Sequence, residues 1–137
     1  MSDEELENIK REKAKKMLKQ LSIPQNIINL NTIEQYRDLL EKHPDKVIIM
    51  DFWATWCAPC NMFAPVYEKL QQEYANQFIF AKVNVDTNQV LASHYKITGI
   101  PTTLFVKNGT IINKIVGAAN YNKMKQILEK IKKKSNK

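Results

Sequence analysis

The stretch that decides the fold is residues 47–60, VIIMDFWATWCAPC. Val47 to Met50 is an apolar run, interrupted by Asp51 and resumed by Phe52 and Trp53. A run apolar at every position, rather than every second one, reads as a strand of a parallel sheet covered on both faces. Burying a carboxylate inside it is costly without a partner, so Asp51 calls for a chemical reason. Cys57 and Cys60 are the only two cysteines, three positions apart around Ala58 and Pro59. Proline suits the first turn of a helix. Cys57 therefore falls at a helix start and Cys60 about one turn on, with Cα atoms about 5 Å apart, within disulfide range. Free N–H groups at a helix start stabilise a thiolate, the form in which cysteine attacks. The spacing alone is a weak signal; at the exit of a buried parallel strand it is a strong one.

Working outward, strands and helices alternate. Asn26 to Leu30 reads as a short strand. A helix capped by Asn31 with Glu34 or by Thr32 with Gln35 follows and stops before Pro44. Lys46 to Trp53 is the buried strand, and the helix from Pro59 runs to about Tyr74 with a kink at Pro65. Phe78 to Val85 is a second buried strand, and Asn88 to Tyr95 a short helix. Thr102–Lys107 and Thr110–Val116 flank Asn108-Gly109, a two-residue hairpin signal. A last helix starts near Asn120. The expected fold class is α/β: a central mixed sheet of parallel crossovers plus a C-terminal antiparallel hairpin, flanked by helices. Gly99, Gly109 and Gly117 are expected where the backbone needs unusual angles.

Residues 1–21 read as an extra helix with a Ser2/Glu5 capping box. Leu6, Ile9, Met17, Leu18 and Leu21 form a thin apolar face. The chain divides into an N-terminal helical extension, 1–24, and a domain, 25–137, ending in a lysine-rich tail. The net charge of +7 is localised. Residues 1–31 contribute +1, 32–122 nothing, and 123–137, with seven lysines and one glutamate, +6. Lysines at the end of a helix complement its dipole and aid solubility. The tail lacks the interleaved aromatics of a single-strand binder, so no nucleic-acid partner is expected. No apolar run reaches the roughly 18 residues of a membrane span, and the charged amino terminus lacks the apolar core of a secretory signal. The expected location is cytoplasmic, and the expected state monomeric. A lone cysteine pair falls short of the four ligands of structural zinc, which leaves a metal shared between molecules as the alternative.

Several separate motifs now match one family in order. WCAPC preceded by DFWA resembles the thioredoxin active site, and AKVNVD (81–86), TGIPTTLFVKNG (98–109) and KIVGA (114–118) are similar to the thioredoxin pattern over residues 25–132. The resemblance implies the thioredoxin fold and a protein-disulfide reductase that needs no bound cofactor. Its partners would be disulfide-containing proteins and a thioredoxin reductase that recharges it. Cys57 would attack, Cys60 would resolve and the two would form the disulfide. Asp51 would exchange the proton of Cys60, with Lys82 beside it. Trp56, Ala58, Pro59, Ile100, a cis Pro101 and Gly117 would line the substrate surface. Trp53 is expected in the core, and His43 and His94 at the surface without a catalytic role. Ala58 stands where glycine is usual and Asn61 where lysine is common, which leaves the redox potential open. Ala-Pro between the cysteines supplies no cation to hold the thiolate, so a reducing protein is expected. The rival is a non-catalytic interaction module on the same fold. An intact C-x-P-C with Asp51 and Pro101 argues against it.

Overall fold

The computed structural model describes residues 2–21 and 23–135, without the side chains of 16–21 and 135. In chain order the elements are α1 (Asp3–Leu21), β1 (Ile28–Asn29), α2 (Ile33–Lys42), β2 (Val47–Trp53) and α3 (Ala58–Tyr74). There follow β3 (Ile79–Asn84), α4 (Gln89–His94), β4 (Thr102–Lys107), β5 (Thr110–Val116) and α5 (Tyr121–Ser135). The strands form one sheet in the order β1-β3-β2-β4-β5, with β1, β3 and β2 parallel and β4 and β5 antiparallel. The expected mixed sheet is thus borne out.

The apolar run of β2 is explained by its place between β3 and β4, where successive side chains enter two cores. Ile48, Met50 and Phe52 join Tyr36, Leu39, Leu91 and Leu104 on the side of α2 and α4. Val47 and Ile49 join Phe63, Tyr67, Phe105, Met124 and Leu128 on the side of α3 and α5. Strand alternation puts Asp51 on the second side, beneath α3. Tyr67 of α3 sends its hydroxyl to the carbonyls of Ile49 (2.9 Å) and Ala81 (2.7 Å), pinning the helix to two neighbouring strands.

Of the two caps proposed for α2, Thr32 with Gln35 closes the box, and Gln35 also accepts from the Asn31 N–H. Asn120 caps α5 through the Lys123 N–H at 2.8 Å. The first strand is shorter than expected, two residues rather than five, because β1 is an edge strand paired only with β3. At the amino terminus the Ser2 hydroxyl accepts from the Glu5 N–H at 3.2 Å, one half of the expected box. Leu6 and Ile9 are exposed; the side chains of Met17, Leu18 and Leu21 lie outside the described residues.

The hairpin turns at Asn108 (φ 50°) and Gly109 (φ 83°), both left-handed, as a two-residue primed turn requires. Its end is held by Tyr36, which hydrogen-bonds to Tyr95, and by Tyr95, which donates to the Gly109 carbonyl at 3.1 Å. Gly117 is also left-handed, at φ 97°, but Gly99 is not, so the expectation for the glycines fails there. The unusual position nearby is Lys96 instead, at φ 54° just past α4. A Cβ at either Gly99 or Gly109 would meet only ordinary contacts, 3.8 Å from Val116 and 3.9 Å from Leu40. Gly109→Ala is therefore expected to cost about 1–2 kcal/mol from backbone conformation alone. Gly99→Ala should change stability by no more than about 0.5 kcal/mol. Urea unfolding of the two variants checks this; equal losses would show that the turn tolerates a side chain.

Candidate active site

Helix α3 begins where β2 ends, and that junction carries the cysteines. Cys57 is the N-cap of α3, with Pro59 in the first turn and no acidic residue there. The Cys60 N–H points at Cys57 Sγ at 3.2 Å. A helix-terminal N–H aimed at the sulfur, unopposed by nearby carboxylates in that turn, favours negative charge on it. The two sulfurs are bonded to each other, with Cα atoms 5.3 Å apart. Both residues are buried, at 4% and 3% exposure. Cys57 is therefore set apart from Cys60 by the N–H it faces rather than by exposure.

Ala54, Trp53, Val85 and Ile100 pack around the pair. Cys57 Sγ lies 3.8 Å from the Ile100 carbonyl oxygen, and the Ile100–Pro101 peptide is cis. The Pro101 carbonyl accepts from the Gly117 N–H at 2.7 Å, which ties the end of β5 to this loop. Trp56 is 71% exposed beside the disulfide, yet its indole N–H is held by Asp86 Oδ2 at 2.9 Å. Asp86 is itself oriented by the Asn84 side chain, which accepts its backbone N–H at 2.9 Å. Asp86 lay inside the AKVNVD motif, but only the tertiary structure joins it to Trp56. Met62, 77% exposed one turn into α3, is a second residue that sequence reasoning did not single out; its place two residues past Cys60 was the available signal.

Trp53 corrects an expectation. It is half-buried rather than core, packs against the cysteines, and carries the Lys82 ammonium over its ring at 4.7 Å. Lys82 is the β3 neighbour of Asp51 in the parallel register. Asp51 is fully buried, and neither carboxyl oxygen has a hydrogen-bond partner among the described residues. Burial pushes its pKa up to about 7, with the Lys82 charge pulling the other way. The same carboxyl and its own burial push the Tyr67 hydroxyl well above its usual range, burial being the larger cause. No cluster of three metal-binding side chains occurs among the described residues.

A disulfide at the amino end of a helix, a buried carboxyl in the strand that leads into it and a cis-proline loop beside the sulfurs define a thiol–disulfide oxidoreductase. The family model for thioredoxin matches residues 27–130. Thioredoxin 2 of Chlorobaculum tepidum is 45% identical over 85 residues, 62% of this chain and 78% of that protein. The bifunctional thioredoxin reductase/thioredoxin of Mycobacterium leprae is 42% identical over 83 residues, 61% of this chain and 18% of that protein. The crystal structure of Schistosoma mansoni thioredoxin superposes with a TM-score of 0.71 at 36% identity, covering 77% of this chain and 95% of that one. The chain belongs to the thioredoxin family. It is a protein-disulfide reductase that works by dithiol–disulfide exchange.

The titration of Asp51 has a definite sign. Its pKa is higher folded than unfolded, so the native state binds the extra proton. The associated stability is complete below 3.8 and is lost as pH rises towards the folded value of about 7. Asp51→Ala removes this loss. Its unfolding free energy should match wild type near pH 4 and exceed it by about 1–4 kcal/mol above pH 7. Denaturant titrations from pH 4 to 9 check the difference, and a variant less stable at every pH would show a well-solvated carboxylate instead.

Proposed function

We propose that Cys57 is the attacking thiol and Cys60 the resolving thiol of a cytoplasmic, general protein-disulfide reductant. The observation that carries the assignment is the Cys60 N–H aimed at Cys57 Sγ, with an unpartnered, buried Asp51 in the strand that leads into that helix. The Cys57 thiolate attacks one sulfur of a substrate disulfide. That bond breaks, the departing sulfur leaves as thiolate and takes a proton from solvent, and a mixed disulfide joins Cys57 to the substrate. The Cys60 thiol then gives its proton to the Asp51 carboxylate and attacks Cys57 Sγ. The substrate's second sulfur leaves reduced, and the Cys57–Cys60 disulfide closes. Two electrons have passed to the substrate. A group titrating near neutrality suits Asp51 to this exchange. Lys82 keeps the carboxylate accessible by lowering its proton affinity.

The substrate strand lies along Ile100, Pro101 and Gly117, with Trp56, Ala58 and Pro59 on its other flank. The exposure of Trp56 and the Ile100 carbonyl 3.8 Å from the reactive sulfur support this placement. A thioredoxin reductase returns the pair to the dithiol. The fused reductase in the mycobacterial relative's name supports that partner. A reducing compartment is what such a cycle requires, hence the cytoplasmic setting. A non-catalytic module is the rejected rival.

Insulin reduction followed by turbidity with dithiothreitol tests the roles. Cys57→Ser should fall to the uncatalysed rate, whereas Cys60→Ser should accumulate mixed disulfides from cell extract. At neutral pH, alkylation of the reduced protein should fall first on Cys57, because only its thiolate faces a helix N–H. Equal labelling of both cysteines would overturn the assignment, and a wild type no faster than the control would restore the module.

Residues 1–24 are an extension to a catalytic domain spanning 25–137. The family match beginning at residue 27 and the exposure of Leu6 and Ile9 support this division. A chain lacking residues 1–22 should keep insulin reduction within about threefold of the whole protein, a change below 1 kcal/mol. A larger loss with the fold retained by circular dichroism would place α1 in substrate binding.

A further inference from the structure

Four buried side-chain oxygens have no hydrogen-bond partner among the described residues, and three of them belong to two facing residues: both of Asp51 and Oγ1 of Thr103. Buried orphans are rare in folded proteins, and each requires a reason. Asp51 of β2 and Thr103 of β4 stand directly opposite in the antiparallel register, and both are fully buried. Opposed residues bring their Cβ atoms about 4.5–5.5 Å apart on one face of the sheet. Rotation of the threonine about χ1 is the movement that would bring its hydroxyl to the carboxyl.

The competing groups are otherwise engaged. From α3, the Tyr67 hydroxyl is held by the Ile49 and Ala81 carbonyls, and the sulfurs of Cys57 and Cys60 are bonded to each other. From β3, the Lys82 ammonium lies over the Trp53 ring. From α5, the side chains in this core are apolar, Met124 and Leu128 among them. Among the described residues, Thr103 carries the uncommitted buried hydroxyl that faces Asp51.

We infer that the Thr103 hydroxyl is the hydrogen-bonding partner of the Asp51 carboxyl, and thereby a positioning residue for the proton acceptor of the resolving step. The inference rests on the reading of Asp51 as that acceptor. A threonine hydroxyl serves both states, donating to the carboxylate and accepting from the carboxylic acid. The bond to the ionised form is the stronger of the two. The hydroxyl thus counters burial and holds the proton affinity of Asp51 below what an apolar neighbour would leave.

The test titrates the Asp51 carboxyl carbon by NMR in the oxidised full-length protein, in which the Cys57–Cys60 disulfide is closed, in wild type, Thr103→Val and Thr103→Ser. Valine is close in shape and lacks the hydroxyl; serine retains it. The valine variant should titrate about half a unit higher, and serine should restore the wild-type midpoint. Below the midpoint, insulin reduction by the valine variant should fall roughly threefold, as the carboxylate fraction does. A valine titration that superimposes on wild type overturns the inference, as does a shift that serine fails to reverse. The spectrum reads Asp51 itself, so these outcomes stand whether or not the carboxyl takes the Cys60 proton. That role is decided separately, by the kinetics of Asp51→Ala.

Discussion

Strand β2 is hydrogen-bonded along both edges, to β3 in parallel and to β4 antiparallel, and is covered on both faces. That double enclosure fixes the direction in which the chain leaves the sheet at Trp53. It also fixes where α3 starts, and hence where the first free N–H of the helix points. A thiolate gains from such an N–H only if the helix cannot slide. The hydroxyl of Tyr67, shared between carbonyls of β2 and β3, locks α3 against the strands that carry Asp51 and Lys82.

The same enclosure makes the carboxyl expensive. Asp51 is in the middle of a strand whose other inward residues are aliphatic or aromatic, and desolvation outweighs the attraction of Lys82. Lys82 has been drawn to the face of Trp53 rather than into an ion pair, a cation–π contact that keeps it partly hydrated. A tight ion pair would stabilise the carboxylate and abolish its exchange near neutrality. The separation leaves the charge of Lys82 as a bias on Asp51, while the carboxyl stays able to change protonation state.

Around the disulfide the surface is apolar but not slack. Trp56 offers its ring to solvent with its polar edge anchored to Asp86, and Asp86 is anchored in turn by Asn84. An indole so tethered has less conformational freedom to lose in any contact made over its exposed face. The cis peptide before Pro101 and the N–H of Gly117 bring a second loop against the Cys57 sulfur, so the site is assembled from the ends of β2, β3, β4 and β5.

Element order, the buried central strand, the hairpin and the cysteine pair were all legible in the sequence. Each is encoded locally, by apolar runs, a proline at a helix start, Asn108-Gly109 and a three-residue spacing. Asp51 was legible too, because a charge amid aliphatic residues contradicts its surroundings. What depends on register and packing was not. The pairing of Thr103 with Asp51 and of Asp86 with Trp56 joins residues 52 and 30 positions apart, and no local signal marks either partner. Trp53 read as core because strand pattern cannot say that the carboxyl end of β2 opens onto the disulfide. Lys96 took a left-handed backbone with no glycine to announce it, since the requirement comes from the path out of α4. Chemistry that resides in a residue type at a fixed spacing was set by the sequence. Proton affinity, tethering and exposure are properties of neighbours, and only the folded sheet chooses those.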